Sequence, residues 1–259
     1  MPHTLPPPAP ANTITAMMLR EMSTSFGRSP GGYIWAVAEP VAAISLMAYV
    51  FSVAFPAPML GRDFFLFYAT GYLPFMLFLD VVNKVGTAVR FSRPLLAYPA
   101  VTLMDALIAR WVLNVGTHLV VFVLVMTGIE VARDTGAIYA APAILNALAM
   151  AAALAAGIGL LNAWLIARLP VWERFWGMVT RPLFVVSGVF FTYESLPPVL
   201  RDIAWYNPLM HITAAMRSGA YPGYDAAFVS APFVYGVALA CGVTGLMLIY
   251  TAERDIIHG

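Results

Sequence analysis

Residues 181–217 read RPLFVVSGVFFTYESLPPVLRDIAWYNPLMHITAAMR, a stretch that begins as a membrane span and does not continue as an ordinary loop. Pro182 to Tyr193 is apolar enough for lipid. Leu196-Pro197-Pro198 then interrupts any helix running through it, because proline lacks the amide donor and its ring clashes with the preceding turn. Beyond that break Leu200, Ile203 and Ala204 fall at helical spacing, Asn207-Pro208 makes a second break, and Leu209, Ile212 and Met216 resume the pattern with scattered charge. Such a segment lies in an interface or dips into it. Two arrangements fit it: an amphipathic extracytoplasmic loop resting on lipid, or a re-entrant helical hairpin.

The rest of the chain is apolar as well. Of 259 residues, 61% are hydrophobic and 10% charged, with a mean hydropathy of +0.80. That leaves too little polar surface to cover a soluble globule. An all-α integral membrane protein is therefore expected. A formal net charge of +1 indicates no nucleic-acid partner. One cysteine, Cys241, in an apolar run excludes a disulfide within the chain and gives no redox motif.

Residues 1–11, with five prolines, have neither a basic n-region nor an apolar h-region, so a disordered tail is expected there and not a signal peptide. Residues 12–30 predict an amphipathic interfacial helix with Ile14, Met17, Met18, Met22 and Phe26 on one face and Arg20, Glu21 and Thr24 largely off it. Runs near the roughly 20 residues that cross a bilayer place six spans at about 33–55, 64–84, 111–129, 142–167, 175–193 and 228–252. The expected cytoplasmic loop is 85–110, the re-entrant segment 194–220 and the C-terminus 253–259. With both termini in the cytoplasm, ten Lys and Arg residues fall inside and four outside (Arg62, Arg133, Arg201, Arg217), as the positive-inside rule requires. Arg181 lies about one turn inside the fifth span. On the fourth, Ala149, Ala153 and Gly157 repeat small residues at every fourth position, which lets a neighbouring helix approach closely.

Few residues suit catalysis. His3, His118, His211 and His258 are scattered, without metal-ligand spacing, and His118 reads as a hydrogen-bonded packing residue. The sole lysine is Lys84 and no GxxxxGK[ST] loop is present, so energy must come from another chain or an ion gradient. Glu39, early in the first span, should avoid lipid and pair with an arginine near the cytoplasmic interface. Asp80 and Lys84, four residues apart, are expected to form an intrahelical ion pair. Trp111, Trp172, Trp176 and Trp205 read as interface belts. Tyr33, Trp35, Phe67, Tyr68, Tyr72, Phe75 and Phe78 could instead line a conduit, where flat rings stack on sugars.

Taken in order, Arg28-Ser29-Pro30-Gly31-Gly32-Tyr33-Ile34-Trp35, Glu39-Pro40, Ser187-Gly188-Val189-Phe190-Phe191, Leu196-Pro197, Asn207-Pro208-Leu209 and Arg217 resemble the signature of type-2 ATP-binding-cassette export permeases, the kind that export capsular or O-antigen polysaccharide. The resemblance covers essentially the whole chain after residue 12, and its specificity comes from the series. It implies that Arg90, Phe91, Ser92, Arg93, Pro94, Leu95 and Leu96 form a coupling helix against the ATPase subunit, with a weaker second contact at Arg168–Arg174. It implies a substrate entrance at Arg20, Arg28, Tyr33 and Trp35. It implies an outer gate at Leu196, Pro197, Asn207, Pro208, Leu209, Ile212 and Met216. Partners implied are a second copy of the chain, two cassette ATPase chains, a lipid-linked polysaccharide in the cytoplasmic membrane and a periplasmic or outer-membrane export adaptor. ATP and magnesium would bind the ATPase, leaving this chain with no cofactor. A type-2 permease for a small drug or lipid, or an ion-coupled carrier or membrane enzyme, are the alternative readings.

Overall fold

The computed structural model describes residues 10–25, 32–92 and 101–258. Among them the regular structure is helical: α1 (Pro10–Ser25), α2 (Gly32–Ala54), α3 (Phe64–Gly86), α4 (Ala88–Ser92), α5 (Leu103–Arg133), α6 (Ala141–Arg168), α7 (Trp172–Val186), α8 (Pro198–Ala204), α9 (Pro208–Ala220) and α10 (Ala231–His258), with one 3-10 turn at Tyr193–Ser195. Five of them, α2, α3, α5, α6 and α10, are long and apolar enough to cross a membrane.

Helix α3 is the central post. Asp63 starts it by accepting the Leu66 amide at 2.9 Å, and it is buried nearly all round by α2, α5, α6 and α9. Packing is closest between α6 and α10. A Cβ built on Gly157 would stand 2.1 Å from the Ala238 carbonyl oxygen, and one on Gly245 would stand 2.6 Å from the Leu161 nitrogen, so glycine is required at both crossings. Ala149, expected in that seam, is exposed instead.

Three helices differ from the sequence reading, α10 by starting at Ala231 and running to His258 past the expected end at 252. Helix α5 starts at Leu103, eight residues before 111, because Thr102 and Asp105 form a capping box: the Asp105 amide donates to Thr102 Oγ1 at 3.1 Å and the Thr102 amide to Asp105 Oδ2 at 3.0 Å. The expected loop therefore contains the first two turns of α5. Helix α7 stops at Val186, seven residues short of 193, where the chain bends through Ser187 and Gly188, whose φ is +76°.

Candidate functional site

The expected functional residues fall at the two ends of the bundle. At the end carrying α1 and α4, Glu21 and Arg110 form an ion pair of 3.0 Å with both side chains 6% exposed. Arg110 also donates to the Lys84 carbonyl at 2.8 Å and to Thr87 Oγ1 at 3.2 Å. A desolvated pair is held better when other hydrogens of the cation find acceptors, and here Nη1 finds two. Glu21 thus lies on the docked face of α1, contrary to its placement with the polar residues: a partner on α5 compensates its burial. Phe91 of α4 is packed under Arg110, with the cation 4.2 Å from the ring centroid, and Arg20 lies over it at 5.9 Å.

Arg90 of α4 donates through both terminal nitrogens to Glu173, at 2.7 and 2.9 Å. This fork joins the first turn of α7 to the expected coupling segment and holds the Glu173 carboxyl below its ordinary range. A cavity of about 240 Å³ lies behind it, lined by Gly86, Val89, Ala163 and Pro170 among others. Ser92 is buried and Phe91 partly exposed; Arg93, Pro94, Leu95 and Leu96 lie outside the described residues. Of the expected entrance, Trp35 is exposed and Arg20 half-buried, whereas Arg28 and the Tyr33 side chain lie outside the description.

At the opposite end, residues 187–220 are sewn into the bundle by side chains that serve backbone carbonyls. Arg217, 1% exposed, donates to Val189 O at 3.0 Å and Phe191 O at 2.8 Å and sits 4.2 Å from the Phe67 ring centroid. Thr213 Oγ1 donates to Ser187 O at 3.0 Å. Asn207 accepts the Leu209 amide at 3.0 Å, capping α9, and donates to Val186 O at 3.1 Å. His211 Nδ1 accepts the Ser230 amide at 3.1 Å, which leaves Nε2 as the donor to Trp205 O, 2.7 Å away. Buried non-ladder backbone needs such partners.

Leu209, Ile212 and Met216 are buried in the chain's own core, Leu196 is half-buried and Pro197 exposed. Pro208 occupies the first position of α9, where its missing amide costs no ladder bond, so it starts that helix. Arg217, counted from the sequence as an outside charge, is an internal clamp. Nothing in residue type revealed that role, which depends on the carbonyls that the turn at Gly188 directs inward.

Two further expectations are corrected. Asp80 pairs with His118 of α5, at 3.1 Å, and among the described residues it makes no ion pair with Lys84, because α5 brings the ring alongside α3. Glu39 makes no ion pair with an arginine among the described residues. Phe67, Tyr68, Phe75 and Phe78 are buried in the core of the chain, and Tyr72, also largely buried, reaches a cavity between α2, α3 and α5. The indoles of Trp111, Trp172 and Trp176 bond other residues, namely the Ala152 carbonyl, Asn162 and Asn83, at 3.0, 2.9 and 3.0 Å.

With five apolar helices, a docked amphipathic helix and a tied-in segment at residues 187–220, the architecture suits a membrane transport domain. Residues 12–221 match the family described as ABC-2 type transporter, and the chain belongs to it. It is 27% identical over 245 residues to the polysialic acid transport protein KpsM of Escherichia coli, covering 95% of each chain. It is 24% identical over 243 residues to the capsule polysaccharide export inner-membrane protein BexB of Haemophilus influenzae, covering 94% of this chain and 92% of that one. It is 26% identical over 222 residues to the capsule polysaccharide export inner-membrane protein CtrC of Neisseria meningitidis serogroup B, covering 82% and 80%.

Proposed function

We propose that the chain is the inner-membrane permease of an ATP-driven exporter that moves a lipid-linked capsular polysaccharide out of the cytoplasm. The observation that carries this reading is the likeness to a polysialic acid transport protein over 95% of both chains.

In this reading six spans cross the membrane. The fifth, about 175–193, is α7 from Phe175 onward, which rises about 18 Å at 1.5 Å per residue, completed by the residues after Val186. Helices α8 and α9 form the re-entrant hairpin, which the packing of α9 among α3, α6 and α10 supports. Both termini are cytoplasmic. The chain works as a homodimer with two cassette ATPase chains, which bind the ATP and magnesium; this chain holds no nucleotide. An export adaptor docks outside.

Arg90–Leu96 is the coupling segment. The Arg90–Glu173 fork makes it one unit with the start of α7, so that ATPase movement felt at α4 reaches the fifth span. Arg20, Arg28, Tyr33 and Trp35 form the entrance, where each headgroup-level cation attracts an anionic lipid anchor by about 1 kcal/mol. The hairpin closes the outer end as a block. Its buried Leu209, Ile212 and Met216 hold it in place, and Leu196, Pro197 and the exposed α8 residues Leu200 and Ile203 form its free surface.

Reconstitution with the ATPase in vesicles, followed by ATP-dependent polymer transport, tests the reading. Transport that needs both chains is the expected result. ATP-dependent movement of a small lipid or drug, with none of polymer, would replace it with a small-substrate permease.

A further inference from the structure

We infer that the cavity between α2, α3 and α5 is a binding site for one sugar ring of the transported chain. This rests on the reading of the protein as a polysaccharide permease and assigns that substrate a place. The cavity holds about 260 Å³ and is lined by Glu39 and Pro40 of α2, Tyr72, Asp80 and Lys84 of α3, and Asn114 and His118 of α5 among others. Measured along α3 from its end at Gly86, Lys84 stands about 3 Å and Tyr72 about 21 Å into the bundle. In the six-span arrangement Lys84 thus stands at the headgroup end and Tyr72 at hydrocarbon depth, with Asp80 about 9 Å in, between them, so an ionised side chain lining the cavity becomes costlier toward the Tyr72 end unless it has a polar partner.

The partners within the chain fall short. His118 and Asp80 satisfy one another at 3.1 Å. The Glu39 carboxylate, the Lys84 ammonium and the Tyr72 hydroxyl have no hydrogen bond or ion pair among the described residues. Asn114 donates to the Arg110 carbonyl at 2.7 Å, which leaves its own side-chain oxygen to accept. Pro40 lacks the amide that would bond the Ala36 carbonyl, and Ala36 is itself at the cavity wall. Unpaired donors and acceptors of both kinds therefore converge on one space.

Their chemistry selects the ligand. Each hydroxyl of a sugar donates and accepts, so it can use the two carboxylates and the ammonium together, while Leu73, Met76 and the Tyr72 ring offer apolar surface to its C–H faces. A phosphate would meet two carboxylates and one ammonium, a net repulsion. No group of three His, Cys, Asp or Glu with metal-holding geometry occurs among the described residues. The volume is below the roughly 300 Å³ at which drug-sized pockets begin, so one ring fits and a folded oligosaccharide does not. Glu39 is exposed and the Asp80 side chain 41% exposed, which gives a ring access from the side of the chain.

The test uses the full chain in nanodiscs as Met76→Cys in a Cys241→Ala background, and measures the rate of maleimide labelling at position 76. Free N-acetylglucosamine should slow labelling by about threefold or more, and Glu39→Gln with Asp80→Asn should abolish that protection. Inorganic phosphate should leave the rate unchanged. No protection by the sugar, or equal protection by phosphate, would overturn the inference. Polymer transport by the Glu39→Gln, Asp80→Asn variant separates the two levels: transport by the parent chain with undiminished transport by the variant leaves the permease reading standing and removes the site.

Discussion

The two ends of the molecule are held together by opposite means. In residues 187–220, polar side chains serve the backbone: Arg217, Thr213, Asn207 and His211 bond main-chain groups of residues 186–191, 205, 209 and 230. At the other end, charged side chains bind one another across helices, Glu21 to Arg110 and Arg90 to Glu173. A buried backbone carbonyl has no alternative partner, so these ties do not exchange. A half-exposed ion pair competes with water and can part and re-form at small cost. Residues 187–220 are accordingly built as a fixed block, whereas the exposed Arg90–Glu173 contact, unlike the buried Glu21–Arg110 pair, is an adjustable joint, and it lies where the ATPase is proposed to act.

Arg217→Met should have the largest effect. It removes two bonds and leaves the Val189 and Phe191 carbonyls unpaired, a loss of about 3–5 kcal/mol. Thermal unfolding of the purified protein should show a marked fall in Tm, and Arg217→Lys should recover little of it, since a lysine lacks the planar fork. Glu21→Ala comes next, at about 2–3 kcal/mol, because Arg110 keeps two other acceptors. Its effect should be local: protease cleavage within α1 should accelerate while the bundle stays folded. Asn207→Ala removes the cap of α9 and the bond to Val186, for about 1–2 kcal/mol by the same unfolding measurement.

Arg90→Ala should change stability least, by under about 1 kcal/mol, since its side chain and that of Glu173 are 65% and 42% exposed. The pH dependence of this joint follows from the lowered Glu173 carboxyl. A carboxyl whose folded value lies below its unfolded one contributes stability above the unfolded range, about 4.3, and loses it as pH falls through the folded value. Across the neutral range the α4–α7 spacing, read by paired spin labels, should stay constant.

Much of this arrangement was legible in the residues. Long apolar runs gave the five long helices. Gly157, in a stripe of small residues, gave the tight α6–α10 crossing, although the matching Gly245 on α10 was needed to see what it meets. The breaks at Pro197-Pro198 and Asn207-Pro208 fall between helices. Other features depended on partners far along the chain. Glu21 was assigned to the polar side of α1 because its partner is 89 residues away. The start of α5 was displaced because the apolar run was counted from Trp111 and residues 85–110 were assigned to the cytoplasmic loop, although the Thr102-x-x-Asp105 cap marks the helix start. Asp80 with Lys84 satisfied a local spacing rule, and a histidine on a neighbouring helix prevailed. The burial of Leu209, Ile212 and Met216 could not be separated from a gate lining by periodicity, which shows a shared face but not what covers it.

The claim that α4 and the start of α7 act as one unit rests on the Arg90–Glu173 fork, and exchanging its charges tests it directly. Polymer transport per ATP hydrolysed should fall in Arg90→Glu and in Glu173→Arg, where like charges oppose, and return in the doubly exchanged protein, with all three equally inserted and stable. Full coupling in both single variants, or no recovery in the double, would contradict it.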